Sequence, residues 1–278
     1  MQRITANVYA ETRFRGCNPG FVVTSEGIVM IDTPYRPSDA IAWREEVMKK
    51  GEVRYLINTE PHGDHYTGNY FFPGTVIAQE GVREALKAVS VNQILERVAE
   101  LDPQGMSLMA GYQLRPPTIT FSKKLTLYLG SHTFELIHLP GHTAAEIGVY
   151  IPEERVIFTG DNVFHRVQAF LHESHPVEWL ASLERIGELD IVCIVPGHGE
   201  VCDKSYLPEM AAFIREWIEV VRKAVEQGMT KQQAMESISF LDRYPMDIGL
   251  ESRGPDVQRM NVDRIYELLK ERGRAQIP

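Results

Sequence analysis

The chain has 278 residues, 44% of them apolar, which is enough to bury a sizeable core and excludes a small scaffold held together by cross-links. Its formal charge of −9 is spread along the sequence with no dense Lys/Arg cluster, so nucleic acid is not an expected partner. The 3 cysteines, Cys17, Cys193 and Cys202, lack zinc-ribbon spacing, the first residues lack the apolar core of a signal peptide, and no run is long enough to cross a bilayer, so the expectation is a cytoplasmic protein with no membrane contact.

In chain order, Phe21-Val22-Val23 and Ile28-Val29-Met30-Ile31 are β-branched runs broken by Ser25-Glu26-Gly27, a hairpin pattern. Ser38 offers an N-cap for a helix carrying Ile41, Ala42, Glu45 and Met48, and Gly51 ends it before a strand from Val53 to Asn58. Gly81 to Pro117 has helical periodicity through Leu86, Val89, Ile94, Leu95 and Val98, followed by a loop at Asp102 to Met106, and reads as a lid or substrate wall. A strand-rich block follows, in the runs Thr118–Phe121, Leu125–Leu129, Thr133–His138, Ile147–Ile151 and Val156–Phe158. Pro208 to Gln227 places Met210, Phe213, Ile214, Trp217 and Val221 at helical spacing, a core-facing stripe, and Pro255 to Arg272 repeats the pattern. Strand-rich blocks with interspersed helices predict packed α and β layers around a central pair of sheets.

The chemistry concentrates between Asn58 and Asn69, where Glu60, His62, Asp64 and His65 place two imidazoles and two carboxylates within six positions just after a buried strand. Pro61 and Gly63 argue against a helix here, so these side chains are expected to fan out from an irregular loop. Three more candidates stand beside glycine after apolar runs: His142 in Pro140-Gly141-His142-Thr143, Asp161 in Thr159-Gly160-Asp161-Asn162, and His198 in Pro196-Gly197-His198-Gly199. Glycine at such places permits the tight turns that aim a strand-end side chain into a shared cleft. A lone His or Asp is more often a hydrogen-bonded or surface residue than a ligand; here the joint pattern carries the weight.

These motifs resemble the metallo-β-lactamase superfamily, which includes glyoxalase II and lactonases, over roughly Phe21 to Glu200. The opening motif there is usually His-x-His-x-Asp-His, and later loops supply a histidine, a bridging aspartate and a last histidine; Glu60 stands where the first histidine is usual. The resemblance implies an α+β fold, a four-layer αββα sandwich with additional C-terminal helices. Residues 1–204 would be the catalytic unit and 205–278 a helical extension packed on the same domain. It also implies two divalent metal ions, one held by Glu60, His62 and His142, the other by Asp64, His65 and His198, with Asp161 bridging; Asp32 resembles the family's early supporting aspartate.

Zinc is the first expectation, with manganese or iron as alternatives because oxygen donors favour harder ions. Three carboxylates and a hydroxide against two dications leave the centre about neutral, less able to acidify a bound water than a site with two carboxylates. The implied function is a hydrolase whose metal-bound hydroxide cleaves an ester, lactone, thioester, amide or β-lactam bond of a small molecule. The alternative is an iron-dependent oxidoreductase or dioxygenase on the same fold. Asp64 is expected to shuttle a proton and Tyr66 to donate to an oxyanion, while His165, His172 and Tyr112 are candidate substrate contacts. The cysteines read as ordinary small residues, and the C-terminal helices could support a homodimer.

Overall fold

The computed structural model describes residues 1–246 and 251–271. Seven strands form the first sheet: β1 (Gln2–Arg3), β2 (Val8–Ala10), β3 (Gly20–Thr24), β4 (Gly27–Ile31), β5 (Val53–Ile57), β6 (Thr75–Gln79) and β7 (Ile119–Phe121), hydrogen-bonded in that order. β3 and β4 make the hairpin expected around Gly27, and β4 to β7 run parallel. The second sheet contains β8 (Lys124–Leu129), β9 (His132–His138), β10 (Ile147–Ile151), β11 (Val156–Phe158) and, beyond a short β12 (Phe164–His165), β13 (Cys193–Val195). Its order is β13-β11-β10-β9-β8, and β12 pairs separately with β14 (His198–Gly199). The Thr118–Phe121 run thus closes the first sheet instead of opening the second.

Side-chain alternation separates three cores. Along β4, Val29 and Ile31 meet Phe134, Leu136, Ile147 and Val149 between the sheets, while Ile28 and Met30 point to the opposite face. There they pack with Trp43 of α1 (Pro37–Met48), Val82 of α3 (Glu80–Leu86), and Ile94 and Val98 of α4 (Val91–Leu101). On the far face of the second sheet, Ile137, Tyr150 and Ile157 pack with Trp179 and Leu183 of α5 (Pro176–Glu188). The order is helices, sheet, sheet, helices: a four-layer αββα sandwich.

Proline decides two helix starts, one of which the sequence pattern misplaced. α1 begins at Pro37 with Arg36 as its N-cap, because proline's fixed φ and missing N–H suit the first helical position. Ser38, expected as the cap, instead donates its backbone N–H to Asp102 Oδ2 at 2.9 Å. Pro176 likewise opens α5 at its first position.

After β14, α6 (Leu207–Glu226) buries Met210, Phe213, Ile214, Trp217 and Val221 on one stripe, against α5 and against Val262, Ile265 and Leu269 of α8 (Gly254–Glu271). α7 (Lys231–Ser237), between them, opens with a capping box at Thr230 and Gln233. Truncating a fully buried tryptophan such as Trp217 to alanine costs about 3–5 kcal/mol. Arg272, the expected last residue of the C-terminal helix, lies outside the described residues, as do 273–278.

Candidate metal centre

Four strand ends deliver the candidate donors to one edge of the sandwich. β5 leads into Glu60 and His62, β9 and its following turn into His142, β11 into Asp161, and β13 into His198. The first segment departs from the irregular loop expected of it: α2 (Gly63–Tyr66), one helical turn with His62 at its N-cap position, carries Asp64 and His65. Pro61 falls outside this turn, where its missing N–H costs nothing. The turn is tied to β5 by Asn58, which donates to the His65 carbonyl at 2.9 Å and exchanges amide hydrogen bonds of 3.1 and 2.8 Å with Asn69.

All seven residues converge. His62 Nδ1 lies 3.0 Å from the Glu60 carboxylate and 3.1 Å from His142 Nε2. His198 Nε2 lies 3.4 Å from Asp64 Oδ2, and His65 Nε2 lies 3.8 Å from the same oxygen. Asp161 spans both triads, with Oδ1 at 3.2 Å from His65 Nε2 and Oδ2 at 3.3 Å from His198 Nε2 and 3.7 Å from His142 Nε2. Glu60 also reaches across, its Oε1 lying 3.0 Å from His65 Nε2. The assignment by resemblance confined Glu60 to one triad; the geometry lets its two oxygens face both.

This donor set fits divalent cations. Glu60 Oε2, His65 Nε2 and Asp161 Oδ1 are buried without a hydrogen-bond partner, an arrangement costly for polar atoms unless something charged sits among them. Glu60, His62 and His142 place ligand atoms within 4.8 Å of one another, as do Asp64, His65 and His198. Imidazole and carboxylate together suit zinc, manganese or iron. A Cβ added at Gly197 would fall 1.9 Å from Asp161 Oδ1, so only glycine lets that backbone pass.

The outward nitrogens of two imidazoles are held so that the inward ones face the cluster. His65 Nδ1 meets Asp32 Oδ2 at 2.9 Å, and Asp32 is fixed in turn by the Thr59 N–H at 2.8 Å and the Thr59 hydroxyl at 2.6 Å. Asp32 has φ +53°, a left-handed conformation that a non-glycine residue adopts only when its surroundings enforce it. His142 Nδ1 donates to the Phe170 carbonyl at 2.7 Å.

Burial opposes charge throughout the cluster, yet mutual attraction prevails at most positions. The neighbouring His65 and His198 hold Asp64 at about 2 against its burial, and Asp161 and Asp64 push His198 up to about 10. His142 and Glu60 are the exceptions: burial brings His142 down to about 3 and raises the Glu60 carboxyl above its ordinary range. Where imidazolium protons now balance the carboxylates, cations would displace those protons.

Several supporting residues escaped the sequence analysis. Glu146 is fully buried, and burial raises its pKa well above the usual carboxylate range. It accepts from the Asp161 N–H at 2.9 Å and from the Thr143 hydroxyl at 3.3 Å, joining the two loops that carry His142 and Asp161. A charged residue directly preceding the apolar run Ile147–Ile151 was the available signal. Asn162 Oδ1 accepts from the His142 N–H at 3.3 Å, and Asn18 donates to the Pro196 and Gly199 carbonyls at 2.9 and 2.7 Å around His198. Cys17, read as an ordinary small residue, donates its thiol to the Asp64 carbonyl at 2.9 Å.

A cavity of about 370 Å³ opens above the cluster, with His62, Asp64, His142, Asp161 and His198 in its lining and Tyr35, Arg97, Leu101 and Phe170 completing the wall. Of the candidate substrate contacts, His172 lines it and stacks on His62 at 5.4 Å. His165 does not: it lies in a separate cleft beside Arg166, with Nδ1 donating to the Glu200 carbonyl at 2.7 Å. Tyr112 is buried in the helix-side core, its hydroxyl donating to the Thr67 carbonyl at 3.3 Å. Tyr66 is also a core residue and does not line the cavity, because two positions along a helix turn a side chain about 200° away from Asp64. Tyr35, from a distant segment, supplies the hydroxyl on the cavity wall instead.

The model of the metallo-beta-lactamase superfamily matches residues 12–198. The chain belongs to that superfamily. It is an enzyme of the metallo-β-lactamase fold, and hydrolases are among its matched relatives. A beta-lactamase-like protein 2 homolog of Caenorhabditis elegans is 24% identical over 236 residues, 78% of this chain and 72% of the relative. A hydroxyacylglutathione hydrolase of Brucella anthropi is 28% identical over 186 residues, 66% of this chain and 58% of the relative. Among solved structures, a metallo-beta-lactamase family protein from Thermus thermophilus superimposes with a TM-score of 0.72 at 17% identity, covering 98% of this chain and 95% of that one. The superfamily typically binds divalent metals, consistent with the His/Asp/Glu clusters at the sheet edge.

Proposed function

We propose that the chain is a dinuclear metallohydrolase that cleaves an ester, lactone, thioester, amide or β-lactam bond in a small molecule. The observation that carries this reading is the pair of donor triads joined by Asp161 at the floor of a cavity. Two divalent cations bound there, zinc first and manganese or iron as alternatives, would supply a water of lowered pKa and polarise the scissile carbonyl. Glu60, His62 and His142 would hold one, Asp64, His65 and His198 the other. Asp64, lining the cavity and kept anionic by its histidine neighbours, is placed to take up a proton and pass it to the leaving group. Phe170 and Leu101 present apolar surface that limits water around the reacting atoms. The hydroxyacylglutathione hydrolase relative supports including thioesters in the substrate panel.

Glu60 favours a second reading. A carboxylate facing both triads makes a harder donor set, which suits iron and hence oxygen chemistry on the same scaffold. The test is elemental analysis of the purified protein with a panel of ester, lactone, thioester and β-lactam substrates and an oxygen electrode. Hydrolysis that chelation abolishes and the metal restores supports the hydrolase; iron content with oxygen consumption and no hydrolysis overturns it.

A further inference from the structure

The cavity wall contains a donor pair that the hydrolytic chemistry leaves unused. α4 is anchored by Ile94 and Val98 in the helix-side core, and its Arg97 and Leu101, one turn apart, line the cavity. Arg97 is the one Lys or Arg in that lining among the described residues. Its guanidinium lies beside the Tyr35 hydroxyl, a group on the same wall that can donate as well as accept.

Glu100 does not use up this cation. It takes Arg97 Nη1 at 2.6 Å, yet the Glu100 side chain is 59% exposed against 27% for Arg97, and solvent screens such a pair. A guanidinium carries five N–H donors in a planar fork, and one contact leaves the others for a second acceptor.

Charge balance points the same way. With a hydroxide among them, Glu60, Asp64 and Asp161 would leave two dications about neutral, so Arg97 supplies the uncompensated positive charge on the wall. Leu101 and Phe170 lie in the same wall and offer an apolar surface. The complementary ligand has a carbonyl at one end, an apolar spacer, and an anion at the other.

Resting on the hydrolase reading, we propose that Tyr35 and Arg97 form a carboxylate-binding subsite, and that the substrate is an ester, lactone, thioester or amide bearing a carboxylate several bonds from the scissile carbonyl. A carboxylate accepts from the Arg97 fork and the Tyr35 hydroxyl together, and such charge-assisted contacts in a partly dry cavity are worth roughly 10- to 100-fold in affinity.

The test compares a carboxylate-bearing aryl ester with its carboxamide twin in metal-replete protein, wild type, R97Q, R97K and Y35F. Wild type is expected to favour the charged twin in kcat/KM by about 10-fold or more. In R97Q that preference collapses, through KM and not kcat, and R97K keeps part of it. A non-hydrolysable carboxylate analogue and its carboxamide twin, titrated calorimetrically, give a readout independent of turnover: a loss of carboxylate affinity specific to R97Q is expected. Equal preference ratios and equal carboxylate affinities in wild type and R97Q overturn the subsite while leaving the hydrolase standing. No turnover of either ester by metal-replete wild type overturns the hydrolase reading, and calorimetry then decides the subsite alone.

Discussion

Asn261 grips the chain on either side of Phe170, the residue whose carbonyl fixes His142. Its Oδ1 accepts from the Leu171 N–H at 2.7 Å and its Nδ2 donates to the Ala169 carbonyl at 2.9 Å, so the Phe170 carbonyl between them is turned to His142 Nδ1. A residue of α8, more than a hundred positions away, thereby holds a candidate ligand in the orientation that presents Nε2 to the cluster. Asn261→Leu leaves two buried backbone groups unpaired and is expected to lower stability by about 2–4 kcal/mol. Metal content should fall first at the Glu60, His62 and His142 triad, read as a drop toward one equivalent per chain. Unchanged metal stoichiometry in a folded N261L protein would disprove the coupling.

The Asp32 carboxylate, just past the end of β4, performs the matching task for His65. Asp32→Ala removes the acceptor for His65 Nδ1 and the anchor of the Thr59 N–H, both buried. Loss of a partner that orients a ligating histidine typically costs about 10- to 100-fold in metal affinity, and competition against a chromogenic chelator measures it. Affinity within a factor of two of wild type would show that His65 does not depend on Asp32.

The elements most legible in the sequence were those with strong local periodicity. Val29 and Ile31 alternate with Ile28 and Met30, and Met210 to Val221 repeat at helical spacing, because each buries a continuous face. The convergence of the candidate donors was legible for a related reason: imidazoles and carboxylates packed beside glycine at strand ends are seldom needed for folding alone. Tyr35 and Arg97 were not. Each resembles an ordinary loop tyrosine and helix-surface arginine, and only the tertiary fold brings them together on the cavity wall. Tyr66 misled because closeness to Asp64 in sequence is not closeness in direction on a helical turn. The tie from Asn261 to His142 passes through backbone groups, on which side-chain patterns carry no information.

Glu60 should tilt metal preference. In equimolar manganese and zinc, wild-type protein is expected to retain a larger manganese share than Glu60→His, since exchanging a carboxylate for an imidazole softens the donor set. Mass-spectrometric metal analysis after dialysis reads the ratio, and an identical manganese share in the two proteins would refute a role for Glu60 in metal choice.

Away from the centre, Glu11 predicts a pH dependence of stability. The Arg13 side chain holds its carboxyl at about 2, below the ordinary value of 4.5. A carboxylate with a depressed folded-state pKa stabilises the fold above its unfolded pKa and loses that contribution as pH falls toward the folded value. Denaturant midpoints of wild type and Glu11→Gln should therefore differ at pH 6 and converge as pH falls from about 4.5 toward 2. A gap that stays constant across this range would contradict the assignment.

The most direct test of the whole account is the metal content of purified wild-type and Asp161→Ala protein, measured alongside hydrolysis of the ester and thioester panel. Two equivalents of divalent metal in the wild type, with loss of metal and of turnover in the variant, is the predicted result. A wild-type protein that hydrolyses the panel at full rate after its metal has been stripped would contradict it.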